Sequence, residues 1–158
     1  MGSGSDRPVM EGATSVLDEL GIRWELRIRS AHRTPHQSLA YARGAEARGV
    51  KVLICGAGMA AHLAGVMAAE SALPVIGVPI GASLLGLDAL LATVQMPPGV
   101  PVATVAVGKA GAKNAAWLAA RILALSDPTV KETLTAARAA MTEKVLAADE
   151  ALQADLNG

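Results

Sequence analysis

Phenylalanine is absent from these 158 residues, and Trp24, Trp117 and Tyr41 are the whole aromatic complement. So few rings exclude a stacking platform for single-stranded nucleic acid and leave a flavin little cover. Cysteine is nearly absent as well. Cys55 stands alone at the end of an apolar run, which rules out an internal disulfide, offers no thiolate metal cluster, and reads as a buried small hydrophobe in a reducing compartment. Charge of one sign is missing, because 14 basic residues balance 14 acidic ones. Neither nucleic acid nor an anionic membrane has an electrostatic footprint here, so any anion must be held locally. Hydrophobic residues make up 52% of the chain, largely as alanine, yet no apolar run reaches the roughly 18 residues of a membrane span. No basic-then-apolar leader opens the sequence, and the expected location is cytoplasmic. The length suits one domain over 1–158, large enough to bury a core without disulfides or metals.

The chemistry concentrates at Ser30-Ala31-His32-Arg33-Thr34-Pro35. Ahead of it, Ile22, Trp24, Leu26 and Ile28 alternate with Arg23, Glu25, Arg27 and Arg29, the period of a strand with one buried face, suited to a sheet edge. Behind it, Thr34 suits an N-cap and Pro35 the first position of a helix. His32 and Arg33 thus fall between the carboxyl end of a strand and a helix N-terminus, where open α/β sheets bind ligands. The alternative is a helix cap with two solvated side chains.

The same alternation runs along the chain. Met1 to Asp6 is a loop of small residues leading into a helix through Val9, Ala13, Val16, Leu17 and Leu20, closed by Gly21. Such a loop aims N–H groups and hydroxyls at an anion, or is simply a flexible terminus. Val50 to Cys55 reads as a strand buried on both faces in the middle of a parallel sheet. Gly56-Ala57-Gly58-Met59-Ala60-Ala61-His62 follows as a loop. It approaches a dinucleotide fingerprint, but the next strand, Pro74 to Pro79, ends without the carboxylate that would hold a ribose hydroxyl, so that reading is rejected. His62, taken alone, reads first as a satisfied core histidine. A helix over Leu87 to Val94, a strand over Val102 to Val107 and an alanine-rich helix to Leu125 complete the alternation, with Lys109 read as a solvated lysine at the last turn. Residues 127–156 form one long helix capped by Asp127, whose stripe through Val130, Leu134, Ala137, Met141, Val145, Ala148 and Leu152 outlasts one sheet layer and calls for a second subunit. The expected fold class is α/β, a three-layer α/β/α flavodoxin-like parallel sheet with a long C-terminal helix.

Six blocks in order carry a more specific signal. They are Met1-Gly2-Ser3-x-Ser5-Asp6, the Ser30 to Pro35 block, Gly56-Ala57-Gly58-x-Ala60-Ala61-His62-Leu63, Leu73 to Pro79, Val94-Gln95-Met96-Pro97-x-Gly99 through Thr104, and Gly108-Lys109-Ala110-Gly111-Ala112 with Asn114. Together they resemble the bacterial N5-carboxyaminoimidazole ribonucleotide mutases of purine biosynthesis, over almost the whole chain. The resemblance implies a homo-octamer with the C-terminal helix reaching onto a neighbour, and neither metal, nucleotide nor flavin as cofactor. Arg33 favours the mutase over the related carboxylases that use carbon dioxide directly, which have lysine there. Two departures stand out. The family has an apolar strand ahead of Gly2, of which Met1 would be the last residue, so either that strand lies ahead of Met1 or another segment takes its place. Ala64 replaces the family's usual proline.

What the resemblance implies for the site is a proton shuttle at His32, with substrate contacts from Ser3, Ser5, Asp6, Ser30, Ala31, Arg33, Gly58, His62 and Leu63. Arg33 and the serine-bearing loop suit phosphate, whereas Asp6 would repel phosphate and suits ribose hydroxyls. A histidine can both give and take a proton near neutral pH. Two rivals remain at this point: direct carboxylation of aminoimidazole ribonucleotide, and a non-catalytic phosphoribosyl or flavin binding module on the same fold.

Overall fold

A computed structural model describes residues 1–157 of the chain. Three parallel strands form the hydrogen-bonded sheet, β1 (Leu53–Gly58), β2 (Val75–Ile80) and β3 (Ala103–Thr104), in the order β1-β2-β3. Leu53 pairs with Val75 and Gly58 with Ile80, while Ile76 and Gly77 face Ala103 and Thr104. Strand β2 is buried throughout and reads Val-Ile-Gly-Val-Pro-Ile, because helices cover both of its faces.

On one face lie α1 (Arg7–Glu19) and α5 (Gly108–Leu123), which bring Met10, Ala13, Val16 and Leu17 together with Ala112, Ala116 and Ala120 over Ile76, Val78 and Ile80. Alanines every three or four residues make α5 narrow enough to sit close to its neighbours. Gly111 carries this furthest, since a Cβ there would fall on the carbonyl of Ala106. The opposite face holds α2 (Pro35–Arg43), α3 (Leu63–Glu70) and α4 (Leu87–Val94), with Ala42, Leu63, Ala64 and Met67 packed on Leu53, Cys55 and Val75. Ala64, where the family has proline, is fully enclosed in this layer. The layered α/β arrangement expected from the sequence is therefore present.

Helix α6 (Pro128–Asn157) starts as its sequence requires, with Asp127 Oδ1 accepting from the N–H groups of Thr129 and Val130 at 3.0 and 3.2 Å. Its stripe divides. Leu134 is buried against α5's layer, whereas Met141, Val145, Leu146 and Leu152 are about half exposed or more. The distal turns find no surface within their own chain.

Several sequence expectations need correction. Residues Gly56–Gly58 belong to β1 rather than to the following loop, because their backbones pair with Val78, Pro79 and Ile80. The last strand is only two residues long, as Val105 makes one further bond to Gly77 and the chain then turns away. The helix opened by Pro35, which the sequence pattern of Leu39, Ala42 and Ala45 carries on to Gly49, ends at Arg43, and a separate 3-10 turn, Glu46–Arg48, precedes Gly49. The Ile22–Arg29 segment is extended but is no regular strand, and β1, expected inside the sheet, has β2 as its only strand partner among the described residues.

The physical reason is a gap between the two. Met1 N donates to Arg27 O at 2.9 Å and Arg29 N donates to Met1 O at 2.8 Å, the pattern of a parallel ladder with Ile28 opposite Met1. Gly2 N meanwhile donates to Gly56 O at 3.0 Å. Met1 and Gly2 thus bridge the Ile22–Arg29 segment and β1 at one end. Behind Met1 the two extended backbones are separated by a cleft of about 730 Å³, walled by Leu17, Leu26, Ile54, Met67 and Leu123 among others. Burial holds the Met1 ammonium below its usual pKa at the mouth of this cleft. Burial also pushes the nearby Cys55 thiol up to about 11, so it stays protonated and unreactive.

An apolar strand ahead of Met1, which the resemblance implies, would enter this cleft. Five apolar residues joined to the Met1 nitrogen would supply both missing ladders and replace a buried ammonium with an amide. Each side chain would contribute about 1.5–3 kcal/mol on burial against about 1.5 kcal/mol of ordering per residue. We expect a net gain of about 2–4 kcal/mol, read as a melting temperature about 5–15 °C higher in calorimetry. Coincident melts would mean that the cleft is tolerated as it stands.

Candidate active site

Two loops and one strand end converge beside the carboxyl end of β1. The Ser30–Thr34 loop closes on itself through its hydroxyl residues. Thr34 N donates to Ser30 O at 2.9 Å, Ser30 N to Thr34 Oγ1 at 3.0 Å, and Arg33 N to Ser30 Oγ at 3.1 Å. Thr34 occupies the N-cap position of α2, but its hydroxyl is engaged with Ser30 and makes no capping bond to the helix. The clamp leaves His32 and Arg33 exposed at the loop's crest, with Ala31 turned partly into the core beneath.

The N-terminal loop is held in a second way. Ser3 and Asp6 form a reciprocal capping box around the 3-10 turn Gly4–Asp6, with Ser3 N donating to the buried Asp6 Oδ2 at 2.9 Å. Ser5 Oγ donates to Ser3 Oγ at 2.9 Å, so the two hydroxyls stand side by side. One Asp6 oxygen is thereby committed to holding the loop. Arg33 Nη2 reaches Gly2 O at 3.4 Å, which ties the two loops together. Among the described residues Arg33 has no carboxylate partner, in contrast to Arg7, Arg27, Arg43 and Arg48.

From β1 the chain passes Gly58, where a Cβ would meet Ile80 O at 3.0 Å, and then Met59, whose φ of 54° lies in the left-handed region. A bulky residue held there is strained, and such strain clusters at functional sites. Two tight turns follow, Ala61 N to Met59 O and His62 N to Ala60 O, and they lift His62 onto the start of α3. His62 is exposed, so the core-histidine alternative is excluded. Its Nδ1 lies 2.9 Å from His32 Nε2, with the ring planes at 86°. Leu63 is different: its side chain is 3% exposed and faces the core, leaving only its backbone at the site.

The arrangement thus joins His32 to His62 and Arg33 to the Ser3–Asp6 loop, while Lys109, exposed as expected, lays its stem against Gly12 of α1. What the sequence reading missed is the direct histidine contact and the left-handed Met59. A turn-prone Gly-x-Gly run just after a strand is the one sequence signal for the latter. Chemically the site offers a paired imidazole, a guanidinium without a carboxylate partner and two adjacent hydroxyls. No group of three or more histidine, cysteine, aspartate or glutamate residues suited to a metal occurs among the described residues. No described helix is long and apolar enough to cross a membrane.

Comparison with known proteins shows the family. The family model described as AIR carboxylase matches residues 1–144. The N5-carboxyaminoimidazole ribonucleotide mutase of Pseudomonas aeruginosa is 54% identical over 147 residues, covering 92% of this chain and 90% of that protein. The corresponding mutase of Mycobacterium tuberculosis is 51% identical over 154 residues, covering 97% and 87%. The crystal structure of Treponema denticola PurE superimposes with a TM-score of 0.86 at 31% identity, over 95% of this chain and 93% of that one. A match of this extent in sequence, joined to the same layered fold, makes the chain a member of the AIR carboxylase family.

Proposed function

We propose that this chain is an N5-carboxyaminoimidazole ribonucleotide mutase of purine biosynthesis, an isomerase acting on a phosphoribosyl substrate. The observation that carries the reading is identity above 50% with mutases over more than nine-tenths of the chain. In this reaction the bond between the exocyclic nitrogen and its carboxylate breaks, releasing carbon dioxide within the site. The ring C4 then attacks that carbon dioxide, and a carbon–carbon bond forms. The nitrogen must gain a proton and C4 must lose one, so a single imidazole that gives and then takes balances the sequence. His32 is assigned that role. Arg33 and the Ser3–Ser5 hydroxyls hold the phosphate, Asp6 a ribose hydroxyl, and the backbone from Gly58 to Leu63 with Ser30 and Ala31 encloses the base.

The test is turnover of N5-carboxyaminoimidazole ribonucleotide by the purified protein, followed by appearance of the C4 carboxylate. Activity without added bicarbonate is expected. Consumption of aminoimidazole ribonucleotide only in the presence of bicarbonate would instead establish direct carboxylation.

The exposed distal stripe of α6 supports assembly, and an octamer is the proposed state, with Met141 to Leu152 packed on another subunit. Light scattering should give about eight times the 16.0 kDa chain mass. A monomer in solution would remove this assignment.

A further inference from the structure

The contact between the two histidines is more specific than proximity requires. With ring centroids 5.0 Å apart and nitrogens at 2.9 Å, the separation is close to that of two imidazoles meeting nitrogen to nitrogen along their ring planes. In that geometry the N–H of one ring lies along the lone pair of the other, and the near-perpendicular planes do not weaken the bond. One proton occupies the contact. Neither His32 Nδ1 nor His62 Nε2 has a hydrogen-bond partner among the described residues.

Direction follows from the surroundings of His62. It immediately precedes Leu63, the first residue of the eight-residue helix α3, and makes no capping bond with its side chain. The unsatisfied N–H groups of that first turn give the helix a positive end. A lone pair on His62 Nδ1 is favoured beside that end over a second donor. His32 Nε2 then keeps its N–H throughout, and Nδ1 is the nitrogen that gives a proton to the substrate and, once bare, takes one back.

We infer that His62 is a positioning residue, which accepts a hydrogen bond from His32 and thereby fixes both the ring orientation and the tautomer in which His32 presents a basic nitrogen to substrate. This rests on the assignment of His32 as the proton-transferring group. His62 itself exchanges no proton with substrate in this scheme. It acts on the chemical step through another side chain, as partners of ligating or catalytic imidazoles commonly do.

The test combines a measurement without substrate and one with it. In ¹⁵N-histidine-labelled protein, nitrogen–nitrogen coupling across the hydrogen bond should join His32 Nε2 to His62 Nδ1, with the proton on His32. A proton on His62 Nδ1, or no coupling, would overturn the inference whatever the enzyme's substrate proves to be. In turnover assays, His62→Phe keeps a ring but no acceptor and should lower kcat about 10- to 100-fold while moving KM less than about threefold. His62→Asn places an oxygen where Nδ1 stands and should restore kcat to within about fivefold of the unchanged protein. Full activity in His62→Phe, or His62→Asn as slow as His62→Phe, would overturn the positioning role. Inactivity of the unchanged protein toward N5-carboxyaminoimidazole ribonucleotide would reject the proposed function and leave the coupling result standing.

Discussion

Replacing His32 with asparagine should lower turnover by about 10²–10⁴-fold while leaving affinity for the nucleotide within about tenfold. Asparagine retains a hydrogen-bonding group near the position of Nδ1, but it can neither accept and return a proton near neutrality nor extend to His62, whose ring lies beyond Nε2. The loss therefore falls on the barrier. At about 1.36 kcal/mol per decade it amounts to roughly 3–5 kcal/mol of transition-state stabilisation. Binding survives because the loop's shape does not depend on the imidazole. It is fixed by the Ser30–Thr34 clamp, which the substitution leaves in place. Steady-state turnover paired with calorimetric affinity for a substrate analogue separates the two effects. Near-normal turnover in His32→Asn would take His32 out of the chemistry and move the proton transfer to His62.

Arg33→Ala should show the opposite balance, with affinity reduced about 10- to 100-fold and turnover at saturating substrate changed far less. The guanidinium has no carboxylate partner and only one long hydrogen bond, to Gly2 O at 3.4 Å, so its remaining donors are free for an anion. Hydrogen bonds to charged groups are worth about 1.5–3 kcal/mol. Arg33→Lys keeps the charge but loses the planar fork and should recover only part of the affinity. The same calorimetric titration decides the matter, and unchanged affinity in Arg33→Ala would place the phosphate elsewhere.

Much of this site was legible in the sequence because it lies at junctions. Gly21, Pro35 and Asp127 punctuate the chain where the structure turns or starts a helix, and a polar loop between two apolar runs necessarily falls at a sheet end. His32 and Arg33 could be placed on that ground alone. The reach of β1 through Gly58 was not legible, since Gly-Ala-Gly has turn composition and only pairing with β2 makes it a strand. The failure of Ile22–Arg29 to form a strand was equally hidden. Its alternation is sound, but alternation specifies a face and not a neighbour, and its neighbour is a cleft. The His32–His62 contact joins residues 30 positions apart across two loops, a distance no local pattern reports. The division of α6's stripe between a proximal part seated at the buried Leu134 and an exposed distal part follows from how far α5's layer extends, which the uniform stripe does not reveal.

The short backbone bridge through Met1 and Gly2 also bears on motion. Among the described residues, two backbone bonds tie the Ile22–Arg29 segment to Met1, and one ties Gly2 to β1. The segment's other ties are Ile22 N to Leu17 O and the side-chain bonds from Trp24 to Asp18 and from Tyr41 and Arg48 to Glu25. That segment leads straight into the His32 loop, and Arg33 returns from the loop to Gly2 O, so segment and loop are linked at both ends. A nucleotide gripped by both Arg33 and the Ser3 loop would hold Met1 and Gly2 from the other side and quieten the whole segment. Part of its binding energy would then go into ordering backbone as far away as Arg23, and the occupied site would be stiffer than the empty one at residues that never touch the ligand.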